Sequence, residues 1–183
     1  MAKVTGTSGN LKTGFKKVEA RLQKELLKIK GGTVKGLLVA CAEIRRDMEV
    51  TPPLIPVDDG NLRASFYIVN TAMSTSLTKF NVDGGNFKTG LPQVIGRLKA
   101  EHKPTINDAE LEAKAKWGEE GVAMGFTAYY AAAVHEMGAS GPTAGKTINW
   151  SRPGSGNKFF QSALYRNIPT VVHFVQQFAK VKP

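Results

Sequence analysis

The sequence predicts an α+β fold: helices at both ends packed around a small, mostly antiparallel β-sheet, with long loops. Three observations point there. Apolar residues recur every three to four positions in the first fifty residues and again after Phe159. Two short runs, SFYIVN (65–70) and GVAMGFT (121–127), have the aromatic, β-branched or alternating character of strands. Between these segments lie stretches dense in glycine and proline.

Taken in order, Phe15, Val18, Leu22, Leu26 and Ile29 define an amphipathic helix with lysines mostly on its other faces. Gly31-Gly32 is expected to break it, with Thr33 capping a second helix through Leu37, Leu38, Cys41, Ile44 and Met48. That helix must end before Pro52, because the residue before a proline is pushed out of the α region. After the strand at 65–70, residues 71–83 are expected to supply a second one, turning at Asp83-Gly84-Gly85. Residues 86–121 mix glycine, proline and charge and read as an insertion or mobile loop, with a short helix across 108–117. In 121–127, Val122, Met124 and Phe126 share one face of a half-buried strand. Tyr129–Met137 is expected to be a short helix closed by Gly138. Residues 138–157 have loop composition, and that length suggests function, or order gained on assembly. Pro169 is expected to interrupt the last helix, with Asn167 capping its second part. The whole reads as one domain: a helical region at 1–50, a sheet with its insertion at 51–137, the loop, and a final helix over 158–183.

The 183 residues carry a net charge of +10, unevenly placed. Residues 1–30 hold eight Lys/Arg against two Glu, residues 101–136 hold three Lys against seven Asp/Glu, and no acid follows Glu136. Opposed charge blocks suggest an acidic partner or a second copy of the same chain. No apolar run approaches the length of a membrane span, and MAKVTGTSGNLKTG lacks the apolar core of a signal peptide. The single cysteine, Cys41, sits among apolar neighbours and is expected to be a buried small hydrophobe in a protein assembled in a cytoplasm.

Signals for chemistry fail on context. His135-Glu136 opens like a zinc-protease helix, but position 139, where the second ligand belongs, is alanine. Ala144-Gly145-Lys146-Thr147 resembles the end of a phosphate-binding loop, yet Ser140 replaces the first glycine and no helix-forming run follows. Asp58-Asp59 are neighbours on one chain, whereas paired catalytic carboxylates flank a reacting atom from separate elements. In PPLIPVDDGNLRASF (52–66) the acids are expected to accept hydrogen bonds in a turn, with Gly60 giving freedom and Leu62 an anchor. No cofactor, metal or catalytic constellation is expected, and the chain reads as something other than an enzyme.

Three segments carry a resemblance. Pro56, Asp59, Gly60, Leu62, Arg63 and Ser65 form a pattern similar to the Pro-x-x-Thr-Gly-x-Leu-Arg-x-Ser signature of a tailed-bacteriophage minor structural family, with Asp59 in place of threonine. Tyr130, Ala131, Glu136 and Gly138 resemble that family's second segment, and the stretch with Phe160 and Ala163 resembles the start of its last helix. Members are neck, head–tail connector or tail-completion proteins. The resemblance implies a virion subunit that forms a homo-oligomeric ring, with six or twelve copies as candidates, where head meets tail. Portal, adaptor and tail-tube or terminator proteins would adjoin it, and double-stranded DNA would pass nonspecifically through its lumen. It also suggests that Arg63 pairs with Glu136, and that 86–121 and 138–157 touch neighbouring subunits. The alternative reading is a nonspecific basic nucleic-acid-binding protein, which the net charge favours.

Overall fold

A computed structural model describes residues 8–71, 82–139 and 143–180, with side chains from residue 18 onward except those of 82, 83 and 119. The α+β class stands, mostly helical with a small antiparallel sheet. Helix α1 (Ser8–Val50) is followed by the single turn α2 (Asn61–Ala64), strands β1 (Phe66–Asn70) and β2 (Val82–Asp83), and helix α3 (Pro92–Trp117). A 3₁₀ turn (Gly118–Glu120), strand β3 (Val122–Phe126), and helices α4 (Ala131–Glu136) and α5 (Phe159–Ala179) complete the chain.

The sheet has the order β2-β1-β3, antiparallel throughout. Phe66 lies opposite Phe126, Ile68 opposite Met124, and Asn70 opposite Val122. Alternate residues face opposite sides of a strand. Phe66, Ile68, Val122, Met124 and Phe126 therefore enter the main core, with Cys41, Ile44 and Met48 of α1 and Phe159 and Ala163 of α5. Tyr67, Val69 and Ala123 meet Ile106 and Ala109 of α3 on the other side. Helices on both faces explain why all five residues of β1 are buried and why FYIVN shows no polar alternation.

Three sequence expectations are corrected. Gly31-Gly32 does not break the first helix: α1 runs unbroken for 43 residues. The glycines serve a helix crossing instead. A Cβ on Gly32 would stand 2.2 Å from the Phe178 carbonyl oxygen, and one on Gly36 would stand 2.7 Å from that of Phe174. With Ala40 fully buried one turn further on, these small residues let the backbones of α1 and α5 meet closely in antiparallel. Residues 86–121 are not a mobile insertion but carry α3, 26 residues long, with Pro92 in its first turn. Its inner stripe of Leu98, His102, Ile106 and Ala113 is diluted by small and polar residues, which hid the period. Pro169 does not divide the last helix, nor does Pro104 interrupt α3. Both prolines are on exposed faces, so the carbonyls they leave unpaired, those of Ala100 and Tyr165, face water. Asn167 caps no second segment; it donates to the Ala163 carbonyl at 2.9 Å within the continuous helix.

The strand expected over 71–83 appears as Val82–Asp83, and the rest of that expectation (72–81) lies outside the described residues. The strand at 121–127 and the short helix before Gly138 form as expected, and Gly138 takes φ +82°.

Candidate assembly surface

The corner at 56–65 turns on Gly60, whose φ of +78° places it in the left-handed region. The expected acid caps are absent: α2 has no side-chain cap, and Asp58 and Asp59 are exposed. Asn61 and Ser65 close the corner instead. Asn61 Nδ2 donates to the Thr89 carbonyl at 2.6 Å, and Ser65 Oγ donates to the Leu62 carbonyl at 2.8 Å. Ser65, fully buried, also offers its own carbonyl to the Thr127 N–H at 2.9 Å, binding the corner to the end of β3. Pro56 is buried, and Leu62 enters the main core.

The second and third segments are fastened to each other. His135 accepts from the Gln161 N–H through Nε2 at 3.3 Å, which leaves Nδ1 to carry the proton toward Glu136 at 2.8 Å. Glu136 holds Lys158 at 2.6 Å, and Asn157 Nδ2 reaches the Met137 carbonyl at 3.1 Å. His135 therefore joins α4 to the first turn of α5. No cluster of three or more ligating side chains occurs among the described residues. Phe126 makes T-shaped contacts with Phe159 and Phe160 at centroid distances of 5.7 and 5.8 Å. Leu62, Tyr130, Ala131, Phe160 and Ala163 all pack in or against the one core, so the three segments meet in space. Tyr130 has its phenol pushed up by burial, with smaller contributions from the nearby Tyr129, Asp59 and Asp58.

Arg63 does not pair with Glu136. It donates to Glu49 in the last turn of α1 at 2.8 Å, while Glu136 is engaged by Lys158 across the α4–α5 junction. Glu49 is a centre the sequence reading missed. It also binds Arg45 one turn back, and Arg152 reaches its carboxylate at 3.0 Å and its backbone carbonyl at 2.7 Å. Burial alone would raise this carboxyl; the charges of Arg45 and Arg63 and the hydrogen bonds from Arg152 and Arg45 hold it below its ordinary value. Beside it, Arg166 of α5 grips Asp47 at 2.7 Å and donates to the carbonyls of Thr51 and Pro52 at 3.2 Å. Carbonyls at the end of α1 thus find partners on distant arginines. One signal was present in the sequence. Asp47 and Glu49 stand where the helix dipole disfavours acids, which calls for cations from elsewhere.

Among the described residues of the loop 138–157, no α-helix or β-strand is formed. Residues 152–156 nevertheless need no partner chain to be held. Leu54 donates to the Gly154 carbonyl at 2.8 Å, Gly156 donates to that of Leu54 at 3.3 Å, and Arg152 is fixed on Glu49. After Lys146-Thr147 the chain runs on without a helix.

Among the described residues, the first half of α1 is the most open part. Residues 18 through 30 are all exposed, among them Leu22 at 60% and Leu27 at 68%. Lys30 pairs with Glu120 beside the end of α3, and Gly32 meets the end of α5, so the residues before them project beyond the body. A scan against protein-family models and searches of curated proteins and of solved structures each returned no match.

Proposed function

We propose that the chain is a structural subunit of a tailed-phage virion, forming a ring at the head–tail junction as a neck, connector or tail-completion protein, with DNA passing through. The projecting half of α1 carries this reading. An isolated helix in water is stabilised little by its own hydrogen bonds, and most helices are held by an apolar face packed on something else. Here Val18, Leu22, Leu26 and Ile29 line one exposed face, with none of the described residues over them. Such a helix suits a subunit completed by assembly. The resemblance of the three segments, which share one core, supplies the phage context.

Phage particles lacking this protein test the reading. DNA-filled heads accumulating beside separate tails are the expected result, and normal particles overturn it. The alternative, a nonspecific basic nucleic-acid-binding protein, draws on the lysines of the same helix. Salt-dependent affinity for free duplex, micromolar or tighter at physiological salt, would favour it.

A further inference from the structure

We infer that the projecting half of α1 docks on the outer face of α3 of a second copy of this chain. The inference rests on the self-assembling reading above and names the surface that receives the helix.

The donor face is the stripe Val18, Leu22, Leu26 and Ile29, bordered along one edge by Arg21, Lys24 and Lys28. Lys28 is engaged by Glu25, while Arg21 and Lys24 have no ion pair within the described residues. Residues 18–30 carry four cations against Glu19 and Glu25, and this net positive charge disfavours pairing of one such helix with another. The partner should instead present acids around an apolar anchor.

Helix α3 offers that face. Its inner residues are committed to the core, while Asp108, Leu111 and Glu112 are all exposed, Glu112 on the flank nearer Tyr67 of the sheet. Leu111 is 66% exposed and supplies the apolar anchor. Asp108 and Glu112 stand one turn apart with no ion pair within the described residues, a like-charge arrangement that a neighbouring cation relieves. The lengths also agree. At a rise of 1.5 Å per residue, residues 8–30 span roughly 35 Å, and α3 spans about 39 Å.

The helix cannot reach its own α3. It continues unbroken into the segment clamped by Gly32 and Gly36 against α5, and Lys30 fixes its base beside Glu120. It therefore leaves its own body and meets another. Donor and acceptor faces differ, so the contact is head-to-tail, the kind that propagates around a ring or along a filament.

The full chain is followed by sedimentation and by cross-linking. Because the changed positions are exposed, circular dichroism and thermal unfolding should stay unchanged. Leu22→Glu with Leu26→Glu should weaken self-association at least ~10-fold, the scale of losing interface anchors. Arg21→Glu with Lys24→Glu should weaken it too, and adding Asp108→Lys with Glu112→Lys should restore it. Leu22→Cys mixed with a separate Leu111→Cys preparation under mild oxidation should give mixed dimers, with Cys41 buried and silent. Self-association unaffected by these variants, or cross-links only between two Leu22→Cys chains, overturns this inference and leaves the self-assembling reading standing. A chain that stays monomeric to millimolar concentration overturns both. Binding of a short DNA duplex by the monomer through Arg21 and Lys24 would show that the helix faces phosphate rather than α3.

Discussion

Arg152, in the long loop, grips Glu49 twice, through its carboxylate at 3.0 Å and its backbone carbonyl at 2.7 Å. The two residues are 103 positions apart. Their contact fastens the loop, α1 and the corner carrying Arg63 to one anion shared by three arginines.

Removing the shared anion should cost more than removing any one cation. Glu49→Ala leaves Arg45 and Arg152 partly buried without their counter-ion and is expected to destabilise the fold by about 2–3 kcal/mol. Arg63→Ala, at a more exposed site, is expected to cost less than about 1 kcal/mol. Urea unfolding of both variants checks the order. The pH dependence has a definite sign: the folded carboxyl is held below its ordinary value of 4.5. Its contribution is present above that value and is lost as pH falls through the lower folded value, a loss that Glu49→Ala should abolish.

The glycines should respond in opposite directions. By propensity alone, Gly→Ala inside a helix gains up to about 1 kcal/mol. Gly96 in α3 has open space around it and should show that gain in part. Gly32→Ala and Gly36→Ala place a methyl against the backbone of α5 and should instead destabilise by about 1–3 kcal/mol each. Thermal unfolding of the three variants measures the contrast.

His102 should make the fold sensitive to mild acid. It is buried, stands edge-on to Phe87 at 5.4 Å, and its Nδ1 lies 2.6 Å from Thr127 Oγ1. Burial lowers its affinity for a proton below the ordinary value of 6.5. The unfolded chain therefore binds the proton first, and stability falls as pH drops below about 6.5 toward the folded value. Denaturation midpoints measured from pH 7.5 to 5 should show this decline, and His102→Gln should flatten it.

Cys41 should be inert in the native protein. Burial raises its thiol to about 12, so little thiolate exists at neutral pH. A colorimetric thiol reagent should label it at the rate of unfolding, and labelling should become rapid in denaturant. Fast native labelling would contradict the packing beside Ile44 and Met48.

Local rules made much of this chain legible. The alternation of Val122, Met124 and Phe126, the glycine that ends α4, and the aromatic and β-branched character of β1 are short-range properties, and each element formed where the sequence placed it. The corner at 56–65 was also recognised, though Asn61 and Ser65 close it rather than the acids. What the sequence alone did not determine depended on who packs against whom. Gly31-Gly32 has the composition of a break, and only the backbone of α5 lying against it makes it a helix crossing. The period of α3 was obscured because its inner stripe mixes Leu98 and Ile106 with His102 and Ala113. Arg63 chose Glu49 over Glu136 because the end of α1, rather than α4, lies within its reach. Spacing along a chain dictates local conformation; partners across the fold are decided by how the helices cross, and that geometry exists only once the core has closed.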